Sequence, residues 1–378
     1  MAGIELKQYR ECVRCVMDTT DPDITFGING VCSRCTHATA ELAKQQSLRP
    51  VSEMFETIKK LNSGKEYDGI IGLSGGLDSA YVLHLAMEHG LRPLVVHVDA
   101  GWNSDISVSN IRSLVTHYQL DLKTVIIEWE EMRRLQLAYL RSGLMNQDVP
   151  QDHAFFSSLY RFASSYGISD VITGENLSTE SILPPGWGYG AMDGRQVKAV
   201  AKKFENLKLE TYPVLTIPNF YMRHFVMSRL RIHRPLNCIS YIKSEAQKEL
   251  AESVNWKSYA GKHGESNFTR FHQDVYLPTR FGIDKRRAHL SSLIVSGQLS
   301  RTEAKVELSS PALLDIDRRN LFNFVARKLE ISSTELEEML SLPSRSHRDL
   351  PNDEWLLKLA NNSNLGRVTR LLTSKKSI

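Results

Sequence analysis

One stretch limits what this chain can fold into more than any other: Tyr67-Asp68-Gly69-Ile70-Ile71-Gly72-Leu73-Ser74-Gly75-Gly76-Leu77-Asp78-Ser79. Ile70 to Leu73 is an apolar run of strand length. It ends in Ser74 to Ser79, and Val82, Leu83, Leu85 and Ala86 then follow at helical spacing up to Gly90. Strand, glycine turn and helix in that order aim backbone N–H groups and a positive helix end at an anion. Gly75 and Gly76 let the backbone come close to a phosphate, and Ser74 and Ser79 add hydroxyls. Asp78 would repel a bare phosphate, but it fits a site where a carboxylate holds Mg²⁺ and the ion bridges to phosphate oxygens. A strand-to-helix turn with a Ser/Asp cap is the plainer alternative for Gly-Gly alone. No Gly-Lys-Ser/Thr follows, so the stretch is not a Walker loop.

The pattern around the stretch predicts a doubly wound parallel α/β sheet. Leu94 to Val98 reads as a second strand ending at Asp99, Thr124 to Trp129 as a third, and Asp170 to Thr173 as a fourth ending in Gly174-Glu175-Asn176. A helix carrying Ile106, Ile111, Leu114 and Val115 lies between the second and third, and one long helical region, 130–166, precedes the fourth. Strands alternating with helices give a parallel sheet, and ligands of such sheets bind beyond the carboxyl ends of the strands. Ser74 to Ser79, Asp99 to Asn103 and Gly174 to Asn176 then share one edge. Asp99 reads either as a site residue or as a loop-capping carboxylate, and Glu175 has the same two readings.

Four of the five cysteines lie in the first 35 residues, as Cys12-x-x-Cys15 and Cys32-x-x-Cys35 with sixteen residues between the pairs. This spacing predicts four thiolates around a structural Zn²⁺, because a closed set of four leaves no open ligand position. Free thiols, redox pairs and an iron–sulfur cluster are the alternatives. The first residues carry Glu5, Lys7, Arg10 and Glu11, which is unlike a signal-peptide core, so disulfides are not expected. No run approaches the roughly 18 apolar residues of a membrane span. These features predict a cytoplasmic protein with no membrane contact. A net charge of +4 is mild and does not by itself argue for nucleic acid.

The chain of 378 residues divides by pattern into a zinc-binding module over 1–45, an α/β domain over 46–310 and a helical region over 311–378. Ala38 to Gln46 reads as a short helix or linker. Pro184 to Gly190 reads as a lid or a surface loop, and 207–250 mixes helical pattern with Arg223, Arg229, Arg231 and Arg234. From Lys262 to His289, six cations (Lys262, Arg270, Arg280, Lys285, Arg286, Arg287) face three acids, with Phe268, Phe271, Tyr276 and Phe281 interleaved. That block reads as a cationic wall for a phosphate-bearing substrate or as a solvated basic helix. In the last region Phe322, Val325, Ala326 and Leu329 make one amphipathic helix. Ser332-x-x-Glu335 caps a second, and Trp355, Leu356 and Leu359 suggest a third.

Ser74-Gly75-Gly76-Leu77-Asp78-Ser79 resembles the PP-loop of ATP pyrophosphatases, which cleave ATP between the α and β phosphates. The chain as a whole resembles the N-acetyl sugar amidotransferases of bacterial surface-polysaccharide (LPS O-antigen) biosynthesis. Five pieces carry this likeness besides the loop: Cys12 to Thr20, His97 to Asn103, Thr173 to Asn176, Lys262 to Phe271, and Leu277 to His289. The resemblance implies a UDP-diacetamido uronic acid type of substrate. ATP would adenylate an acetamido carbonyl oxygen, and ammonia would displace AMP to leave an acetamidino group. It further implies that Ser74, Gly75, Gly76, Leu77 and Ser79 hold the pyrophosphate and that Asp78 sits on Mg²⁺. Asp99 and Gly174 would lie at the nucleotide, Lys285 and Arg286 would neutralise the leaving pyrophosphate, and Glu175 would accept a proton from ammonia. ATP, Mg²⁺ and Zn²⁺ are the implied cofactors.

The nitrogen source is a separate question. Position 2 is Ala, so an N-terminal cysteine nucleophile is not expected, and Cys238 has no flanking glycine elbow. A separate glutaminase and ammonia-channelling partner, similar to the histidine-biosynthesis pair, is therefore expected. Two alternative functions are a tRNA sulfur transferase, for which only Cys238 remains after the zinc set, and a nucleotide-sensing module without chemistry.

Overall fold

The computed structural model describes residues 8–45, 48–222, 230–259 and 264–356. Glu5, Lys7, Gln46, Arg223, Arg229, Lys262 and Leu359, named above, lie outside the described residues.

Five strands form one parallel sheet in the order β3-β2-β1-β4-β5: β1 Gly69–Gly72, β2 Pro93–Asp99, β3 Leu122–Ile126, β4 Asp170–Ile172 and β5 Arg231–His233. Alternation along the strands sends side chains to two cores. Ile70, Leu94, Val96 and Val171 enter one; Ile71, Leu73, Val95 and Ile172 enter the other. The second core is closed by helices Val51–Leu61, Leu77–Glu88, Asp105–Tyr118 and Lys243–Val254. The first takes helices Trp129–Ser142, Val149–Ser165 and Gly194–Glu205, the cysteine segment, and the helices from Asn267 onward. The sheet is thus doubly wound, as the strand–helix alternation predicts. Strands β1 to β3 are added outward on one side and β4 and β5 on the other, so the loop after β1 opens at the switch point where such sheets bind ligands.

Several sequence expectations need correction. The third strand ends at Ile126; Trp129 begins a helix instead of closing a strand, because Glu128 caps it by accepting from Glu131 N–H. The long helical region is two helices, parted where Gly143 takes φ +69° and Pro150 opens the next. The segment 207–250 hides β5. Its three residues pair with β4 through polar groups: buried Asp170 accepts from Arg231 Nε (2.6 Å), His233 Nε2 (2.8 Å) and Asn62 Nδ2 (2.8 Å). Burial alone would raise the Asp170 carboxyl, but these three donors hold it below the usual carboxylate range. Pro184 to Gly190 is pinned rather than poised as a lid. Trp187 is buried and donates from Nε1 to Thr20 O (3.2 Å), and Gly186 packs on Pro22.

The helical end is fastened to the rest. Arg280 donates to the Met339 and Leu342 carbonyls (both 2.6 Å), and Ser332–Glu335 forms the expected capping box. None of the described helices is long and apolar enough to cross a membrane.

Candidate active site and metal centre

The turn after β1 is strained in the way a phosphate loop requires. Gly75 has φ +83°, and a Cβ there would stand 2.6 Å from Ser107 O. Its carbonyl accepts from Trp256 Nε1 (3.2 Å) and Asn110 Nδ2 (3.4 Å). Ser74 and Ser79 face one another at 3.0 Å between hydroxyls. Ser79 Oγ accepts from Ser74 N–H (3.3 Å), and Ser74 Oγ accepts from Gly76 N–H (3.2 Å). Helix Leu77–Glu88 starts at once, with Asp78 in its first turn. Gly174 presses against that turn: a Cβ on it would lie 2.9 Å from the Asp78 carbonyl carbon and 3.0 Å from Ser79 N. The sequence expectation that the ends of β1 and β4 share one edge therefore holds at contact distance.

The end of β2 joins them. His97 Nδ1 donates to Leu73 O (2.8 Å), Asn103 Nδ2 donates to His97 Nε2 (3.1 Å), and Asn103 Nδ2 also meets Asp99 Oδ1 (3.1 Å). Asp99 Oδ1 accepts Gly101 N–H (2.8 Å), which is loop capping. Along the same loop runs a segment from far down the chain: Ser104 N–H donates to Glu265 O (2.8 Å), and Asn267 N–H to Trp102 O (2.9 Å).

Two residues absent from the sequence-level site lie over the turn. A Cβ on Gly76 would be 3.1 Å from the Tyr259 hydroxyl and 3.2 Å from Glu265 Oε1. The Tyr259 oxygen faces Leu77 N–H, and burial with Glu265 beside it pushes the phenol far up, so it stays protonated. A third, Tyr241, donates to Asp78 Oδ1. Trp256 and Tyr259 stand at the edge of the aromatic–basic block; no pattern in the sequence marks Tyr241.

The remaining predicted residues fall elsewhere. Glu175 follows β4 and pairs with Arg234 (2.8 Å), both about half exposed. Arg286 is committed to the scaffold: it grips Asp284 (2.7 Å) and donates to the Glu307 (3.1 Å) and Ser310 (3.0 Å) carbonyls. Lys285 immediately precedes helix Arg286–Val295, which packs on helix Leu177–Glu180 after β4. Arg287 points away from the loop, to Asp18 (3.0 Å) and Glu11 (3.2 Å). The cationic wall read from the sequence is thus partly a set of internal clamps. Asp274, in a π-helical turn over His272–Tyr276, is pushed up to about 6 by burial.

The four cysteines converge as their spacing predicts. Cys12, Cys15, Cys32 and Cys35 are fully buried and place their sulfurs within 4.8 Å of one another; Cys12–Cys35 is 3.9 Å and Cys15–Cys32 3.8 Å. A tetrahedron with metal–sulfur bonds of about 2.3 Å has edges of about 3.8 Å, so the set fits Zn²⁺. Backbone N–H groups of Arg14 (3.4 Å), Cys15 (3.5 Å) and Cys32 (3.2 Å) point at Cys12 Sγ and stabilise thiolate charge. The segment is clamped from behind by Arg301, which donates to the Cys12 and Cys15 carbonyls (both 2.9 Å).

The sheet, the serine–glycine turn at its switch point, the cysteine module and the helical end define an α/β protein of the PP-loop type. More particularly, residues 265–362 match the family model described as the C-terminal domain of LPS biosynthesis protein WbpG-like proteins, which supports the family that the motifs resemble. No curated protein matches the chain. Among solved structures, the chain is similar to NMN synthetase from Francisella tularensis, at 15% identity and a TM-score of 0.34, covering 82% of this chain and 98% of that one. It is also similar to the NH3-dependent NAD synthetase from Campylobacter jejuni subsp. jejuni NCTC 11168 in complex with the nitrate ion, at 17% identity and a TM-score of 0.30, covering 70% and 98%. Likenesses this distant bear on neither substrate nor reaction.

Proposed function

We propose that this protein is an ATP-dependent, AMP- and pyrophosphate-forming amidotransferase. In this reading it acts on a nucleotide-linked diacetamido sugar of the UDP-diacetamido uronic acid type in LPS O-antigen biosynthesis. The observation that carries the reading is that Glu265, where the WbpG-like match begins, is hydrogen-bonded to the loop after β2 and brings its Oε1 to the Ser74–Ser79 turn, 3.2 Å from where a Cβ on Gly76 would stand.

An amide carbonyl is a poor electrophile, so its oxygen must be made a leaving group. The acetamido oxygen attacks the α-phosphorus of ATP and pyrophosphate departs. Ammonia then adds to the imidate carbon, loses a proton, and AMP leaves with the former amide oxygen. The N–H groups of Gly75, Gly76 and Leu77, once released from the hydroxyls that Gly76 and Leu77 now meet, and the Ser74 and Ser79 hydroxyls suit the β,γ-phosphates. Asp78 is the carboxylate placed to hold Mg²⁺, which supplies charge neutralisation on the phosphates when bound. Asp99 and Gly174 flank the nucleotide. Lys285 is the cation proposed for the leaving pyrophosphate; Arg286, which the sequence reading paired with it, has a scaffold task instead. Glu175 is proposed to take the proton from ammonia, with Arg234 exchanging partners as it does so.

Nitrogen is proposed to arrive as ammonia from a separate glutaminase with a channelling subunit. Cys238 does not suit a nucleophile: burial pushes its thiol up, and among its described contacts is Arg234 O at 3.9 Å. The same fact weakens the sulfur-transfer reading.

The test is a panel of UDP-diacetamido sugars with ATP, Mg²⁺ and ammonium. AMP, pyrophosphate and an acetamidino sugar are expected, with ammonium accepted and glutamine alone refused. Formation of ADP would reject the reading, and full activity on glutamine with no contaminating glutaminase would reject the partner.

A further inference from the structure

Tyr241 has no part in the chemistry above, yet its hydroxyl donates to Asp78 Oδ1. The residue is 3% exposed, so the donor side of this bond is shielded from water. Its ring is held firmly. It lies against Tyr81 at 5.7 Å between centroids, its carbonyl accepts from Gln298 Nε2 (3.0 Å), and its N–H donates to Ile239 O (3.0 Å). Tyr81 is itself tied down by donating to Glu249 (2.8 Å). Gln298 also accepts Lys243 N–H (2.9 Å), so one side chain fixes both Tyr241 and the start of helix Lys243–Val254.

Asp78 sits in the first turn of its helix, where a carboxylate has several staggered rotamers and is drawn toward backbone N–H groups. A rigid buried donor selects one of them. We infer that Tyr241 is a positioning residue, holding the Asp78 carboxylate in the orientation that receives the Mg²⁺ of the bound nucleotide. It sets the enzyme's metal requirement without touching the nucleotide. This rests on the reading of Asp78 as the metal-holding carboxylate.

The experiment compares full-length wild type with Tyr241→Phe, Tyr81→Phe and Asp78→Asn by calorimetric ATP binding, in EDTA and in Mg²⁺, and by AMP release against Mg²⁺ concentration. Hydrogen bonds to charged groups are among the stronger ones, and losing this one should reduce the Mg²⁺-dependent gain in ATP affinity about tenfold. ATP affinity in EDTA should stay as in wild type. The Mg²⁺ needed for half-maximal rate should rise by a similar factor, with kcat at saturating Mg²⁺ within about threefold of wild type. Tyr81→Phe should leave the Mg²⁺ behaviour unchanged.

If Asp78→Asn loses the Mg²⁺ effect and Tyr241→Phe keeps it, the inference fails while the functional reading stands. If Asp78→Asn keeps the Mg²⁺ effect, the reading of Asp78 fails and takes the inference with it. Equal losses in EDTA and Mg²⁺ for Tyr241→Phe would make Tyr241 a packing residue and overturn the proposal. Should Tyr241→Phe fail to fold, Gln298→Ala loosens the same ring from its backbone. A smaller shift in the same direction is then expected, and no shift overturns the inference.

Discussion

Backbone N–H groups gather at the cysteine module and at the turn after β1, and their partners differ. In the cysteine module they point at sulfurs of the chain itself, with Arg14, Cys15 and Cys32 all aimed at Cys12 Sγ. In the turn after β1 they meet substitutes: Ser79 Oγ for Ser74, Ser74 Oγ for Gly76, and the Tyr259 hydroxyl for Leu77. Hydroxyls exchange for phosphate oxygens at little cost, because both accept the same N–H groups. The first place is a finished structural centre and the second is built to trade partners. That difference makes metal loss a folding event at one and nucleotide binding a local event at the other.

The largest expected effect breaks the first place. Elemental analysis of wild type is expected to find one zinc per chain, and the Cys32→Ser/Cys35→Ser variant should lose it. Structural zinc contributes roughly 10 kcal/mol or more in small domains. Its loss here should lower the melting temperature steeply or leave the protein insoluble, since Arg301 and Arg287 are anchored on the same segment. A zinc-free variant that melts like wild type would remove the structural role.

Next comes the opposite pattern at the turn. Asp78→Ala should cut AMP formation by about a hundredfold or more, while the fold loses the acceptor of the Tyr241 hydroxyl, a cost of about 1–3 kcal/mol. Undiminished AMP release would remove Asp78 from the metal site.

These two places were also legible in the sequence to different degrees. Four cysteines at fixed spacing specify both ligands and geometry, so the module could be read whole. The turn could be read only in its local residues, because Ser74 to Ser79 lie in one string. What closes over it, Tyr241, Tyr259 and Glu265, arrives from more than 160 positions away through β5 and the Asn103–Ser266 bridge. β5 itself was invisible because its pairing rests on buried Asp170 rather than on apolar alternation. The cationic block was legible as charge but not as purpose: a sequence shows how many cations there are, not that Arg280 binds carbonyls of the helical end and Arg286 those of Glu307 and Ser310.

A third prediction concerns pH. His153 is buried beneath the first core, with Nδ1–H donating to Ala191 O (2.6 Å) and Nε2 accepting Leu215 N–H (3.0 Å). Burial lowers it from 6.5 to about 4. The unfolded chain therefore binds more protons than the folded one between those values. Stability is full above about pH 6.5 and is lost as pH falls toward 4, by up to about 3 kcal/mol. Denaturant melts at pH 7 and pH 4.5 measure this. His153→Gln should be less stable at pH 7 and show a shallower slope; an unchanged slope would assign the acid sensitivity to other groups.

Gly75→Ala tests the turn's backbone. At φ +83°, with Ser107 O 2.6 Å from the new Cβ, the substitution should cost about 1–3 kcal/mol and weaken ATP binding with it. Equal strain at Gly64, φ +83° with open space around it, should affect stability alone. Comparing ATP affinity in the two variants separates strain at the site from strain anywhere.

The smallest effect on the fold is expected at Glu175, and that makes it the sharpest chemical probe. Its pair with Arg234 is about half exposed on both sides, and such pairs contribute about 0–1 kcal/mol. Glu175→Gln keeps the size and can still meet Arg234 through its amide oxygen, so melting should shift by less than that. Any larger change in rate must then come from chemistry. If Glu175 takes the proton from attacking ammonia, the sugar-dependent formation of acetamidino product should fall by about a hundredfold, within the usual range for a lost general base. The first half-reaction, adenylation measured as pyrophosphate release in the absence of ammonium, should proceed at nearly the wild-type rate. Equal loss in both halves would mean that Glu175 serves the nucleotide or the shape of the β4 edge. No loss in either would leave it as a surface ion pair, and the proton would have to go to another carboxylate at the turn, with Glu265 the first to examine.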